Sequence, residues 1–256
     1  MDAETTKVEE LSLPQAFLIL ATNDKNGKPE VPVFALRTTL AGAILAELEL
    51  LGAIALEGKY VRATGTAPKT EFQHVLELIR GKSRPHSPKR WVSMLEGRAE
   101  VQRVYEGMAS RGIVEHVGEK HLGLFKSVRY PEKDHGPEAA LLEKVKAALS
   151  GAPPVSPKPE SQGADAKASD SRPDAEVPDS QMSDSKPDTK APVVTVTDAR
   201  TTALIALLQA AGLLGKLFPA ADQSRASQLA KDYWPARAVE DELRMIRLAE
   251  AEAPTL

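Results

Sequence analysis

Between Thr38 and Gly58 the chain changes its period, and the rest of the sequence has to accommodate that change. Leu40, Ile44, Leu48 and Leu51 recur at 3.6-residue spacing, Leu45 and Leu50 broaden the apolar arc, and Gly52 ends it. This predicts a mostly buried helix. On its wheel Glu49 falls opposite the stripe, towards water, whereas Glu47 falls inside the arc between Leu40 and Leu50. A carboxylate placed there needs a partner, either an arginine side chain or backbone N–H groups at a helix start, so Glu47 is expected to be a structural buried carboxylate.

After Gly52 the spacing alternates through Ile54 and Leu56, then Tyr60 to Ala63 across Glu57-Gly58-Lys59, which reads as a short hairpin. Residues 104–130 repeat the arrangement: a helix, Gly112, an alternating strand, a turn near Val117-Gly118-Glu119-Lys120, and a return strand. A helix that closes on glycine and feeds a β-ribbon is therefore used twice.

Earlier in the chain, Ser12 with Gln15 and Pro14 predicts a helix from Leu13, and Asn23 to Pro29 predicts a turn that leads, extended through Val31 to Arg37, into the organising helix. Thr70 with Gln73 reads as a second capping box, followed by a helix carrying Phe72, Leu76 and Ile79. Further helices are expected from about Pro88 to Leu95, after Gly97, and from Pro137 to Leu149. Residues 151–197 then turn to Pro, Ser, Asp, Lys and Ala, which reads as a disordered internal linker. Asp198 is a predicted N-cap for a helix apolar on nearly every side, and a last helix follows Tyr233-Trp234-Pro235 with Val239, Leu243 and Ile246 inward. A helix that needs burial on all sides must dock back. The expected organisation is a flexible stretch over 1–10, one helical domain made of 11–150 and 198–252, and the linker.

Composition narrows the function. Aromatics make up 4% of 256 residues, so the core rests on Leu, Ala, Val and Ile, and the absence of cysteine excludes disulfides, thiolate zinc sites and a cysteine nucleophile. The start MDAETTKVEE lacks the basic and apolar run of a signal peptide, and Glu47 and Glu49 interrupt the best candidate span, so a cytoplasmic chain with at most peripheral membrane contact is expected. The linker holds five cations against eight acids, which accounts for the whole net charge of −3. The remainder is neutral, but Arg80 to Arg90 carries five cations and no acid. Within that loop Arg84, Lys89 and Arg90 are spaced by Pro85 and Pro88, which limits the entropy lost on gripping an anion.

Other motifs carry less. Gly81-Lys82-Ser83 resembles the end of a phosphate loop, but Leu76 stands where its first glycine is required and no strand precedes it. His116 and His121 have no third ligand in register, so no metal or cofactor is expected, and no catalytic constellation appears. Helix followed by ribbon also describes a winged helix, which makes a DNA-binding regulator the alternative. The helix that would enter the groove, however, exposes Glu49 and no Arg, Lys, Asn or Gln, which disfavours nucleic acid. A purely protein-binding scaffold would instead show an exposed apolar groove.

The spacing G-x-x-L-x-E-L-x-L-x-G-x-I-x-L from Gly42 to Leu56 resembles the signature of the Golgi phosphoprotein 3 family, whose yeast member is a sorting adaptor. The likeness extends to SLPQAFLIL, Trp91 to Leu95, the Gly112 hairpin, Arg129-Tyr130-Pro131 and the helix after Asp198. The alanine content, the short stretch from Trp91 to Gly112 and the RYP element look like bacterial members. The resemblance implies a mainly α fold, a helical bundle ringed by amphipathic helices with short β-hairpins, one of them projecting. It also implies a non-enzymatic adaptor, peripheral on the cytoplasmic face of a membrane, the Golgi membrane in eukaryotic relatives. Those relatives bind phosphatidylinositol 4-phosphate, hold the cytoplasmic tails of membrane enzymes and self-associate through the hairpin, here residues 113–130. Of four lipid-site positions in the family, one matches Arg98, and the others fall on Pro32, Ala41 and Val101. Arg37 and Arg103 lie close enough in sequence to substitute. The expected head-group residues are therefore Arg98, Arg37 and Arg103, joined by Arg84, Lys89 and Arg90 of the basic loop.

Overall fold

Pro32, extended at ψ 143°, holds the cap position of the central helix, and the chain turns helical immediately after it. The computed structural model describes residues 10–65, 68–121, 125–150, 196–221 and 223–252. Among them, α1 (Leu13–Leu20) precedes α2 (Val33–Leu50), and α2 feeds the hairpin β1 (Ile54–Glu57) and β2 (Tyr60–Ala63). Then come α3 (Gln73–Arg80), α4 (Pro88–Leu95) and α5 (Arg98–Ser110), and the second hairpin, β3 (Val117–His121) and β4 (Phe125–Arg129). The set closes with α6 (Gly136–Ser150), α7 (Val196–Ala210), α8 (Leu214–Leu217), α9 (Gln223–Ala230) and α10 (Trp234–Glu252). The fold is mainly α with two antiparallel hairpins.

α2 is the axis of the packing. It touches α1, α4, α5, α7 and α10, and every residue from Thr38 to Leu48 is buried. The single apolar stripe expected from periodicity is thus only part of its contact surface. The other faces carry Ala41, Gly42, Ala43 and Ala46, which are small because neighbouring helices approach there. A Cβ on Gly42 would collide with Val239 Cγ2 of α10 and lie 3.4 Å from the Pro235 carbonyl. The core also takes in Ala203 to Leu208 of α7 and Val239 and Leu243 of α10, so chain before and after residues 151–195 shares one interior. Each leucine or isoleucine buried in it contributes about 1.5–3 kcal/mol.

Several local expectations shift. Val33 to Arg37 is the first part of α2 and not an extended lead-in, because Pro32 meets the cap requirement without breaking the helix that follows. Val117 to Lys120 is strand, paired with Lys126 to Arg129, and not the turn expected there. α3 begins at Gln73; the Thr70 hydroxyl accepts from Phe72 N–H, and Gln73 bonds Glu77 instead of closing a box. α7 begins two residues before Asp198, and α9 was not anticipated. The first hairpin turns on Gly58 at φ +63°, with Glu57 opposite Tyr60. The linker expectation and most of the N-terminal one fall outside the described residues.

Glu47 is 5% exposed. Its Oε2 accepts from Leu13 N–H at 2.8 Å, at the start of α1, and from Arg200 of α7 at 2.6 Å, while Oε1 accepts from the same guanidinium at 3.1 Å. Glu49 departs from its expected place in water. It is partly buried, accepts from the Trp234 indole N–H, and its Oε2 is buried without a partner among the described residues. Burial raises its pKa, opposed by the Trp234 bond. The wheel had placed Glu49 correctly relative to Leu40 and Leu48, but α10 covers that side as well.

Candidate functional site

The first turns of α2 and α5 open onto the same cavity. Neither helix has a side-chain cap: Pro32 and Gly97 occupy the cap positions and offer no side-chain acceptor to the first-turn N–H groups. The cavity is about 170 Å³, lined by Val33, Leu36 and Arg37 of α2 and by Arg98, Val101, Gln102 and Tyr105 of α5. Its remaining wall is Val128 and Tyr130 from the end of the second hairpin, with Gly27 and Pro29 from the preceding turn. Small-molecule sites typically enclose ~300–1,000 Å³, so this one suits a group of phosphate size.

That wall is firmly built. Asn23 N–H bonds Lys28 O and Gly27 N–H bonds Asn23 O, both at 2.8 Å, Asn23 Nδ2 donates to Glu30, and Lys216 of α8 pairs with Glu30. Those donors, the Lys216 ammonium first, hold the Glu30 carboxyl below its usual range. Tyr105 and Tyr130 stack in parallel at 4.3 Å, and His116 tilts over Tyr130 at 5.2 Å. The Tyr105 hydroxyl lies 2.5 Å from that of Thr22, and burial pushes its pKa up to about 12, so it stays a neutral hydrogen-bonding group.

Two of the six expected head-group residues meet here, Arg37 and Arg98. Arg37 is half-buried and Arg98 exposed, and neither forms an ion pair with another described residue. Arg103 points elsewhere: its Nε lies 3.6 Å from Glu100, which also receives His74. Arg84 and Arg90 are exposed, and Lys89 lies 3.9 Å from Glu242 of α10, so none of these four lines the cavity. Of the family positions that differ, Val101 lines the cavity, Pro32 adjoins it, and Ala41 is fully buried inside the core. The basic loop is anchored through His86, whose carbonyl accepts from Val61 of β2 at 2.9 Å, and through Ser87, which caps α4. The rim of the cavity is apolar, with Val33 53% and Val128 37% exposed.

The alternative functions meet specific obstacles. A winged helix would have to present α2 to a groove, yet Thr38 to Leu48 has no free face. Gly81-Lys82-Ser83 follows a helix and not a strand, so no phosphate loop forms. No helix among the described residues is long and apolar enough to cross a membrane.

Sequence reasoning did not single out Gln102, Tyr105 or the rim valines. The RYP element pointed to Tyr130, but nothing in the spacing placed Tyr105 beneath it. It also missed a cluster behind the wall, Asp24, Glu132, His135 and Glu138. Burial, then the charges of Asp24 and Glu132, pushes the Glu138 pKa up to about 7, and burial raises that of Glu132 despite the His135 bond. A carboxyl whose pKa is raised on folding stabilises the fold below its unfolded value and loses that contribution as pH rises through the folded one. Between about pH 4.5 and about pH 8, stability should therefore fall through this group, and Glu138→Gln, which keeps a neutral side chain throughout, should lessen the fall. Urea midpoints for the two proteins across this range test it; parallel pH profiles would remove Glu138 as the cause.

None of the curated proteins compared with the chain matches it. A family model for Golgi phosphoprotein 3 (GPP34) matches residues 13–246, from the start of α1 into α10, and the chain therefore belongs to the Golgi phosphoprotein 3 family.

Proposed function

We propose that this protein is a non-enzymatic, peripheral membrane adaptor that seats the phosphate of an anionic phospholipid head group in the cavity between α2 and α5. The observation that carries the reading is the convergence, on one phosphate-sized space, of two helix starts without side-chain caps and two arginines that form no ion pair among the described residues. Helix N-termini offer N–H donors and a favourable dipole to an anion, and arginine adds planar, charge-assisted donors. The exposed Val33 and Val128 at the rim suit contact with the acyl boundary beside a bound head group. Arg98 occupies a family lipid position, and Arg37 supplies from α2 a cation that Ala41, sealed in the core, cannot. Phosphatidylinositol 4-phosphate, the ligand of eukaryotic relatives, is the first lipid to test, on the cytoplasmic face of a membrane.

The exposed Arg84 and Arg90 add non-specific attraction to a charged surface, each worth roughly 1 kcal/mol and screened by salt. Recruitment of the tails of membrane proteins, and self-association through residues 113–130, complete the adaptor role as the family suggests. The test is sedimentation with vesicles of phosphatidylcholine alone or with phosphatidylserine or phosphatidylinositol 4-phosphate. Arg37→Glu/Arg98→Glu should lower binding to phosphoinositide vesicles by more than about tenfold, because two cations at the phosphate become two anions. Arg84→Glu/Lys89→Glu/Arg90→Glu should lower binding to all anionic vesicles more modestly. Wild-type binding by the first variant would remove the cavity from the lipid site, and a chain that sediments with no anionic vesicle would end the membrane reading.

A further inference from the structure

Asp24, Glu132, His135 and Glu138 come from three stretches of chain: the turn after α1, the loop after β4, and the first turn of α6. One ligand-capable atom from each lies within 4.8 Å of all the others. The main chain holds the stretches together, since Glu132 N–H donates to Asp24 O at 3.0 Å, and the Asp134 carboxylate takes Gly136 N–H where α6 begins. No lysine or arginine among the described residues pairs with any of the three carboxylates.

Glu132 sharpens the point. Its side chain is 4% exposed; Oε2 meets His135 Nδ1, while Oε1 is buried with no hydrogen-bond partner among the described residues. Buried carboxylate oxygens are ordinarily satisfied by donors or by a metal ion. Here His135 occupies only Oε2, and three acids share the space.

We propose that Asp24, Glu132, His135 and Glu138 form a binding site for one first-row divalent cation, Zn²⁺ or Mn²⁺. An imidazole among carboxylates favours these over Ca²⁺ and Mg²⁺, which take oxygen ligands. Ligand atoms about 2.1 Å from a common ion are at most about 4.2 Å apart, so the observed spread closes by small side-chain rotations. His135, 72% exposed, leaves the cluster open to solvent on one side, which gives the ion a way in. The bound ion would join the turn that carries Gly27 and Pro29 to the segment that carries Tyr130. The site does not rest on the lipid reading, and its test involves no lipid.

The tag-free, full-length chain, stripped with chelator and dialysed, is titrated calorimetrically with ZnCl₂, MnCl₂, MgCl₂ and CaCl₂, with melting temperature followed in parallel. The expected result is saturable one-site binding of Zn²⁺ or Mn²⁺ with a rise in Tm. Asp24→Asn/Glu138→Gln should weaken it by more than about tenfold, and so should His135→Ala, whose melting curve without metal is recorded first because the change also removes the partner of Glu132 Oε2. In the absence of metal the double variant should melt no lower than wild type, because it removes like charges. No saturable binding of either ion, a preference for Ca²⁺, or undiminished affinity in His135→Ala would each overturn the assignment.

Discussion

Glu47→Ala should lower the free energy of unfolding by about 3–5 kcal/mol, a large share of the ~5–15 kcal/mol that holds a typical domain folded. The carboxylate sits in the buried middle of α2 and is acceptable there only because both oxygens are occupied. Truncation leaves Arg200, whose side chain is 18% exposed, without its counter-charge, and leaves Leu13 N–H without an acceptor. Glu47→Gln keeps most of the volume and one acceptor, so it should cost less. Arg200→Ala should be damaging for the same reason as Glu47→Ala, and the double alanine variant less than additive by about 1–3 kcal/mol. Strict additivity in denaturant titrations would mean that the bidentate pair does not couple α2 to α7.

Glu49 is the informative contrast. It too is partly covered, but it accepts only from the Trp234 indole and leaves an oxygen buried without a donor. Removing its charge relieves a desolvation cost, so Glu49→Gln should lie within about 1 kcal/mol of wild type. If Glu49→Gln proves as costly as Glu47→Ala, the two carboxylates have been assigned each other's roles.

The pair also shows what could and could not be read from residues alone. The 3.6-residue period identified α2 and put Glu47 in the apolar arc, because periodicity is a local property. The identity of its partner was not local: Arg200 lies 153 residues away, beyond a stretch with no apolar pattern. Ala41, Gly42, Ala43 and Ala46 have too little hydrophobic weight to mark a buried face, yet they are buried because small side chains let α10 and α7 come close. The cavity was harder still. Family resemblance marked Arg98 and suggested Arg37, but the walls come from four separated stretches, and which cations meet there depends on how α5 packs on α2. Arg103, five residues after Arg98, therefore turns towards Glu100 and His74, whereas Gln102 and Tyr105, unremarkable as sequence, face the site.

Gly27→Ala should cost about 3–5 kcal/mol, against about 1–2 kcal/mol for Gly58→Ala, although both glycines have φ +63°. The shared part is the left-handed backbone, which strains any residue with a Cβ. The difference is the surroundings. Gly58 has open space where its Cβ would stand, whereas at Gly27 the new carbon would lie 2.5 Å from the backbone nitrogens of both Tyr130 and Pro131 and 2.7 Å from the Tyr130 carbonyl carbon. Main-chain atoms cannot rotate away, so the turn and the Tyr130 segment would have to separate. Both line the cavity, so Gly27→Ala should also weaken vesicle binding, while Gly58→Ala, in the other hairpin, leaves it unchanged. Thermal and urea unfolding of the two variants side by side, with sedimentation on the same preparations, decides the matter. Equal stability losses would show that the turn is not seated against Tyr130 and Pro131, and that this wall of the cavity is built in some other way.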